Sequence, residues 1–296
     1  VNPSLITLTS LQGNSQWLDG GAMFGNAPKA VWSKLHSPDE LGRIELKCRC
    51  LLAKINGHNV LFETGIGQFF DPKLKERYGV FESTHRLLDE LDAAGVSHES
   101  IDFVVLSHLH FDHAGGLLKS FNTTLGRSEG LLFPKAKFLI GSVAWERALN
   151  PHPRDRASFI PYLQTWLQET GRVLLISNQE DVPKALQPFL EFFWTDGHTP
   201  GQMHAVVKGQ TARVIFTGDL IPGVSWLHLP LTMGYDRFAE KVIDEKKLLY
   251  ERELNHSTFF FYTHDPDYAM SRFSFDAEKK KFVAHDLTPS LSNRSI

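Results

Sequence analysis

The chain is expected to be an α/β protein whose strand ends carry its chemistry, and three observations lead there. Four apolar runs of strand length each stop just before a histidine or an aspartate: 101–106 before His108, 189–194 before His198, 212–216 before Asp219 and 258–262 before His264. Ahead of the first run, strand, helical pattern and strand follow one another as in a βαβ unit. Across 296 residues there is neither an internal repeat nor a break in composition, so a single domain over 1–296 is expected.

Taken in order, residues 5–9 read as a short strand. Between 11 and 44 the pattern is irregular, interrupted by Asp19-Gly20-Gly21 and Pro28, and predicts a long functional loop. Met23, Phe24 and Trp32 are its candidates for lining a substrate pocket. Strands at 46–55 and 58–64 flank Asn56-Gly57, a strong hairpin signal. Cys48 and Cys50 stand two apart on the first of them and share a face, as core thiols do. Glu63 ends the second, where a carboxylate can orient a metal-bound histidine. Ser83 caps a helix whose apolar face is Leu87, Leu88, Leu91 and Ala94 and which Gly95 closes.

Beyond 101–106 the pattern predicts a loop over 120–134, a strand at 137–140, helices near 142–149 and 156–169, and a strand at 172–176. Strands at 203–208 and 212–216 turn at Gly209-Gln210, and a helix spans 236–254. A closing hairpin at 272–275 and 281–285 leaves a polar tail, 290–296, expected to fray.

The stretch Ser107-His108-Leu109-His110-Phe111-Asp112-His113-Ala114-Gly115-Gly116 sets four strong metal ligands within six residues. Imidazole nitrogen suits zinc, and a carboxylate can join or bridge to a second ion. Four ligands this close cannot all serve one tetrahedral ion without strain. Alternation along the loop allows His108 and His110 to face one ion, and Asp112 and His113 another. Two ions about 3.5–4 Å apart can clamp a hydrolytic transition state.

Composition narrows the partners. Hydrophobic residues make up 42% and charged residues 22%, as in an ordinary globule with a sizeable core. A net charge of −3 gives no global basic field for nucleic acid or an anionic membrane. No apolar run approaches the roughly 20 residues that span a bilayer, and Val1-Asn2-Pro3-Ser4 lacks the features of a secretory signal. With two cysteines, the cytoplasm is the expected compartment. A small-molecule substrate is the expected partner, and a homodimer is left open.

The order His-x-His-x-Asp-His, Gly-His-Thr-Pro-Gly, Gly-Asp and a last His after an apolar strand resembles the metallo-β-lactamase fold superfamily, over about residues 46 to 265. The resemblance implies a four-layer αβ/βα sandwich: two mixed β-sheets face to face, with helices on the outer faces. It implies that His108, His110 and His198 bind one divalent ion, that Asp112, His113 and His264 bind a second, and that Asp219 bridges both. Zinc is the expected metal, with iron or manganese as alternatives. The bridging Asp219 sets the chain apart from true β-lactamases and nearer to N-acyl homoserine lactonases, glyoxalase II-type thioesterases and organophosphate or aryl-ester hydrolases.

Two positions depart from the pattern. The family often reads Gly-His-Thr-Pro-Gly-His, but Gln202-Met203-His204 follows Gly201 here, and His204 is read as structural. Well-studied lactonases carry a tyrosine shortly after the bridging Asp, whereas Leu220 to His228 has none; Ser225, Trp226 and His228 are the candidates to take its place.

The expected reaction is hydrolysis of a lactone, carboxylic ester, thioester or phosphotriester by a metal-bridging hydroxide, with Asp112 or Asp219 carrying the proton. The alternatives are a mononuclear iron dioxygenase of sulfur compounds and a ligand-binding protein with a vestigial site.

Overall fold

Alternating burial along the strands decides the layering. In the run Phe259-Phe260-Phe261, the first and third rings enter one apolar core and the middle ring enters another. A sheet patterned in this way is covered on both faces. The computed structural model describes residues 6–254 and 257–296; Leu5, the first residue of the expected opening strand, lies outside them.

Fifteen strands are assigned among the described residues. They are β1 (Thr7–Asp19), β2 (Arg43–Ile55), β3 (His58–Phe62), β4 (Phe103–Leu106), β5 (Phe121–Asn122), β6 (Arg127–Ser128), β7 (Lys137–Gly141) and β8 (Val173–Ile176), then β9 (Leu190–Thr195), β10 (Gln202–Lys208), β11 (Arg213–Phe216), β12 (Thr258–Phe261), β13 (Met270–Asp276), β14 (Lys281–Thr288) and β15 (Arg294–Ser295). One mixed sheet runs β15-β1-β2-β3-β4-β7-β8 and the other β14-β13-β12-β11-β10-β9. Leu51, Phe62, Val105 and Leu139 of the first sheet meet Leu190, Met203, Phe216 and Phe261 of the second in a central core. On the outer face of the first sheet, Val104 and Phe138 pack under Leu87 and Leu91 of helix Arg86–Ala93 and Leu163 of helix Leu163–Glu169. On the outer face of the second, Ile215 and Phe260 pack under Val242, Leu249 and Tyr250 of helix Ala239–Glu253. Helix, sheet, sheet, helix: the four-layer expectation holds.

The hairpin across Asn56-Gly57 forms as read, with φ of 51° and 80° at the two turn residues, the left-handed pair that such a turn requires. Cys48 and Cys50 are buried free thiols in the core under the first sheet. Several readings change. The expected loop over 11–44 is strand as far as Asp19, because β1 pairs with β2 from Thr7↔Lys54 to Asp19↔Arg43. A bulge between Gln12 and Ser15, with Asn14 at φ 69°, shifts the alternation and hides the strand from a period-two reading. The tail does not fray: β15 pairs with β1, and Ile296 is buried in the central core.

The helix expected from Ser83 begins at Arg86, whose N–H is taken by Asn14 Oδ1 at 3.1 Å. The helix expected over 156–169 splits into a short turn at Arg156–Ser158 and a helix from Leu163, with Pro161 between them.

β3, β4 and β7 run parallel, as do β11 and β12. Their carboxyl ends therefore share an edge in each sheet, and the loops that follow β4, β11 and β12 start there.

Candidate metal centre

The loop after β4 turns at once into a one-turn helix, Phe111–Ala114, and its path is fixed by close backbone packing. Ser107 N donates to Glu63 Oε1 at 2.7 Å, and Thr64 Oγ1 donates to His113 O at 2.9 Å. A Cβ on Gly116 would stand 1.9 Å from Thr64 O, so only glycine lets the loop lie this close to the end of β3.

Three sets of ligand atoms each lie within 4.8 Å of one another: His108, His110 and His198; His108, His113 and Asp219; and Asp112, His113 and His264. The seven residues expected to bind metal are thus brought together from four separate loops. His108 Nε2 and His198 Nε2 stand 3.0 and 3.3 Å from His110 Nδ1, and His264 Nε2 stands 3.3 Å from His113 Nε2. Asp219 lies between the two sets. Its Oδ2 is 3.3 Å from His198 Nε2, and its Oδ1 is 3.3 Å from His113 Nε2 and 3.1 Å from His264 Nε2.

The far side of most rings is already committed. His198 Nδ1 bonds Asp236 Oδ1 at 2.9 Å, His264 Nδ1 bonds Lys47 O at 2.6 Å, and His108 Nδ1 bonds Ser107 Oγ at 2.9 Å. Glu63 Oε2 faces His113 Nδ1 at 3.6 Å, outside hydrogen-bonding reach. Gln16 Nε2 donates to Asp112 Oδ2 at 2.6 Å. With these tautomers set, lone pairs converge at the centre, and Asp219 Oδ1 is buried with no hydrogen bond among the described residues. Convergent imidazole lone pairs and an unpartnered buried carboxylate oxygen are a donor set that divalent cations fit.

The charge balance without an ion divides the rings into two groups. Burial, reinforced by neighbouring histidines, pushes His108 and His110 well below the usual imidazole range. Burial acts the same way on His113, His198 and His264, but Asp219 overrides it and holds all three above that range, His264 at about 10. Burial would raise Asp219, yet His113, His264 and His198 together hold it well below the carboxylate range.

A cavity of 350 Å³ opens on His110, Asp112, His198, Asp219 and His264. Met23 lines it. Phe24 and Trp226 do not: their rings stack at 4.7 Å inside the core, and Trp226 Nε1 donates to Met23 O, because two large apolar rings gain more from burial than from facing a polar centre. Trp32 also stacks on Phe24, with ring centroids 5.9 Å apart. Phe24, Trp32 and His228 line a different, 620 Å³ cavity.

Several residues missed in the sequence cluster in one segment, 233–237. Met233, Tyr235 and Arg237 line the metal-centre cavity, and Asp236 holds His198. Residues 236–238 were read as the start of the helix that begins at Ala239. The signal available was Gly234, which interrupts the apolar pattern ahead of that helix.

Gln202, in the amide orientation that satisfies both groups, accepts from Asp219 N and Leu220 N at 3.1 Å, so it positions the bridging aspartate. His204 is outside the centre: it is buried, stacked on Phe193 at 4.7 Å and bonded to Thr195 Oγ1 at 2.7 Å. Burial pushes His204 from 6.5 down to about 3. The folded protein therefore refuses a proton that the unfolded chain accepts below 6.5, and this stability is present above that pH and lost as pH falls toward 3. The loss is about 2 kcal/mol at pH 5. His204→Gln is expected to flatten that part of the acid slope in denaturant unfolding at pH 7 and 5; a slope equal to wild type would refute it.

Comparison with known proteins follows the same lines. The family model of the metallo-beta-lactamase superfamily matches residues 43–124 and 144–264. A search of curated proteins returned no match. Among solved structures, the chain is similar to a probable metal-dependent hydrolase from Staphylococcus aureus, 23% identical, with a TM-score of 0.82 over 95% of this chain and 97% of that one. It is also similar to AidC, a dizinc quorum-quenching lactonase solved with a product, 20% identical, with a TM-score of 0.75 over 96% of this chain and 95% of that one. A third is the hydrolase AbOPH of the beta lactamase superfamily, 18% identical, with a TM-score of 0.67 over 96% and 94%. At such identities the structural likeness is one of fold. The family model spans well over half of the chain, and the chain is therefore an enzyme belonging to the metallo-beta-lactamase superfamily.

Proposed function

We propose that the enzyme is a dinuclear metal-dependent hydrolase of a small molecule with an ester-like bond: a lactone, carboxylic ester, thioester or phosphotriester. The observation that carries this reading is the placement of Asp219, with one oxygen toward His198 and the other toward His113 and His264. In this reading His108, His110 and His198 hold one ion, Asp112, His113 and His264 hold the other, and Asp219 joins both. Zinc is the proposed metal. Two such ions, when bound, supply Lewis acidity for the carbonyl or phosphoryl oxygen and activate a water molecule at neutral pH.

The chain's own groups do the rest. Asp112 and Asp219 are the two cavity-wall carboxylates that belong to the proposed ligand set, and one of them carries the water's proton to the leaving group. Tyr235 stands on the same wall, 41% exposed, and the partial burial of its hydroxyl, with Asp112 and Asp19 nearby, raises its phenol's pKa. It stays protonated at neutral pH and donates to the oxygen on which charge develops. Leu18, Met23, Leu46 and Met233 offer an apolar surface for the remainder of the substrate.

Elemental analysis of the purified protein, with a panel of lactones, thioesters, aryl esters and phosphotriesters, tests the proposal. About two zinc ions per chain and turnover of at least one class support it. A single iron with no hydrolysis and with oxygen consumption on sulfur compounds sinks it.

A further inference from the structure

Two arginines, Arg154 and Arg237, share the cavity with the metal-site residues. Arg237 is the informative one. Its side chain is only 10% exposed, and its Nε and Nη1 are shut off from solvent with no hydrogen bond among the described residues. A buried guanidinium without an acceptor is costly to keep. The nearest carboxylate oxygen, Asp155 Oδ2, stands 3.7 Å from Nε, beyond hydrogen-bonding reach. That oxygen is already held by Arg147, whose Nε and Nη2 donate to it at 3.0 and 2.6 Å. Asp155 Oδ1 makes no hydrogen bond either, so one carboxylate stands among arginines that outnumber it. Arg154 is exposed at the cavity mouth and spends one Nη2 contact on Gly234 O, at 3.0 Å.

Position adds to charge. Arg237 N donates to His198 O at 3.1 Å, so the guanidinium is rooted on the loop that presents His198. Once Asp112 and Asp219 are counted with the metal ligands, the charges left on the cavity wall are Arg154 and Arg237 against Asp155.

We infer that the substrate carries an oxyanionic group, a carboxylate or a phosphate, apart from the bond that is cut, and that Arg237 receives it with Arg154 beside it. The planar donor fork of arginine matches either oxyanion in a two-point contact. This rests on the hydrolase reading and narrows it from any ester to one with an anionic arm.

The test is a matched set of para-nitrophenyl esters with one leaving group. The acyl parts are valerate (neutral), glutarate (a free carboxylate) and a chain of similar length ending in phosphate. Wild type is expected to favour at least one charged ester over valerate by about tenfold or more in kcat/KM, and the favoured arm identifies the anion. In Arg237→Gln that ratio should fall toward one, mainly through a higher KM for the charged ester, and Arg237→Lys should restore part of it. A ratio is unaffected by the fraction of a variant that folds. No charge preference in wild type, or an unchanged ratio in Arg237→Gln, overturns the inference.

Calorimetric binding of glutarate and of inorganic phosphate to the zinc-loaded proteins reads the site without turnover. Binding at least about tenfold weaker in Arg237→Gln for either anion supports the anion site even if no ester is cut, a result that would count against the hydrolase reading alone. Equal affinities for both anions overturn the site itself.

Discussion

Asp219→Ala is expected to hold at most one metal ion per chain and to lose activity by on the order of a thousandfold or more. The side chain lies within 3.3 Å of His198 on one side and of His113 and His264 on the other, and each set draws two of its donors from the loop after β4. In the proposed two-ion arrangement, removing it takes away the group that joins both sets and a negative charge that two dications require. The backbone should hold, because Gln202 keeps Asp219 N and Leu220 N regardless of the side chain. Asp219→Asn separates charge from shape: it fills the same space without the charge and should behave nearly as badly. Metal content by elemental analysis, kcat on the best ester of the panel and Tm decide it. Two ions and a rate within tenfold of wild type would remove Asp219 from the centre of the mechanism.

The second large effect lies one bond further out. Asp236→Ala should weaken metal binding or activity by about 10- to 100-fold, the usual cost of removing the partner of a metal-bound histidine. Asp236 Oδ1 holds His198 Nδ1 at 2.9 Å, which leaves Nε2 as the lone pair facing the centre. Its Oδ2 accepts from Met233 N at 2.7 Å and so shapes the segment that carries Tyr235 and Arg237. Truncation also leaves a buried N–H unpaired, at about 1–3 kcal/mol. Asp236→Asn can keep one of the two bonds, so it should recover stability more fully than metal affinity. Zinc competition against a chromophoric chelator, read beside Tm, separates the two roles. If both variants bind zinc as wild type does, Asp236 has no part in orienting His198.

The legible part of this protein was what short range dictates. Each ligand residue is announced by an apolar strand just before it and a turn just after it, so His108, His198, Asp219 and His264 could be placed on strand ends from sequence spacing alone. The alternation that makes Phe259 and Phe261 face one core and Phe260 the other is likewise written locally, and it specifies a sheet buried on both faces. Resemblance to a known family then supplied how the two sheets stack.

What the tertiary structure alone decided is where period and local signal fail. The strand β1 was concealed by a bulge at Gly13-Asn14, because one extra residue reverses which face every later side chain takes. The tail was read as loose because its partner strand begins nearly 290 residues earlier, and β15 pairs Thr7 with Ser295. The segment 233–237 has neither a strand nor a helix period, since its path is set by bonds to distant groups: Gly234 to Ala22, Asp236 to His198, and Arg237 to the His198 carbonyl. Phe24 and Trp226 offered the size and chemistry of a pocket wall, and only packing showed them stacked on each other in the core. The sequence by itself determined which residues can bind metal and that strands deliver them to one edge. Only the fold determined which side chains surround them, because long-range packing, not local pattern, chooses which residues line a cavity.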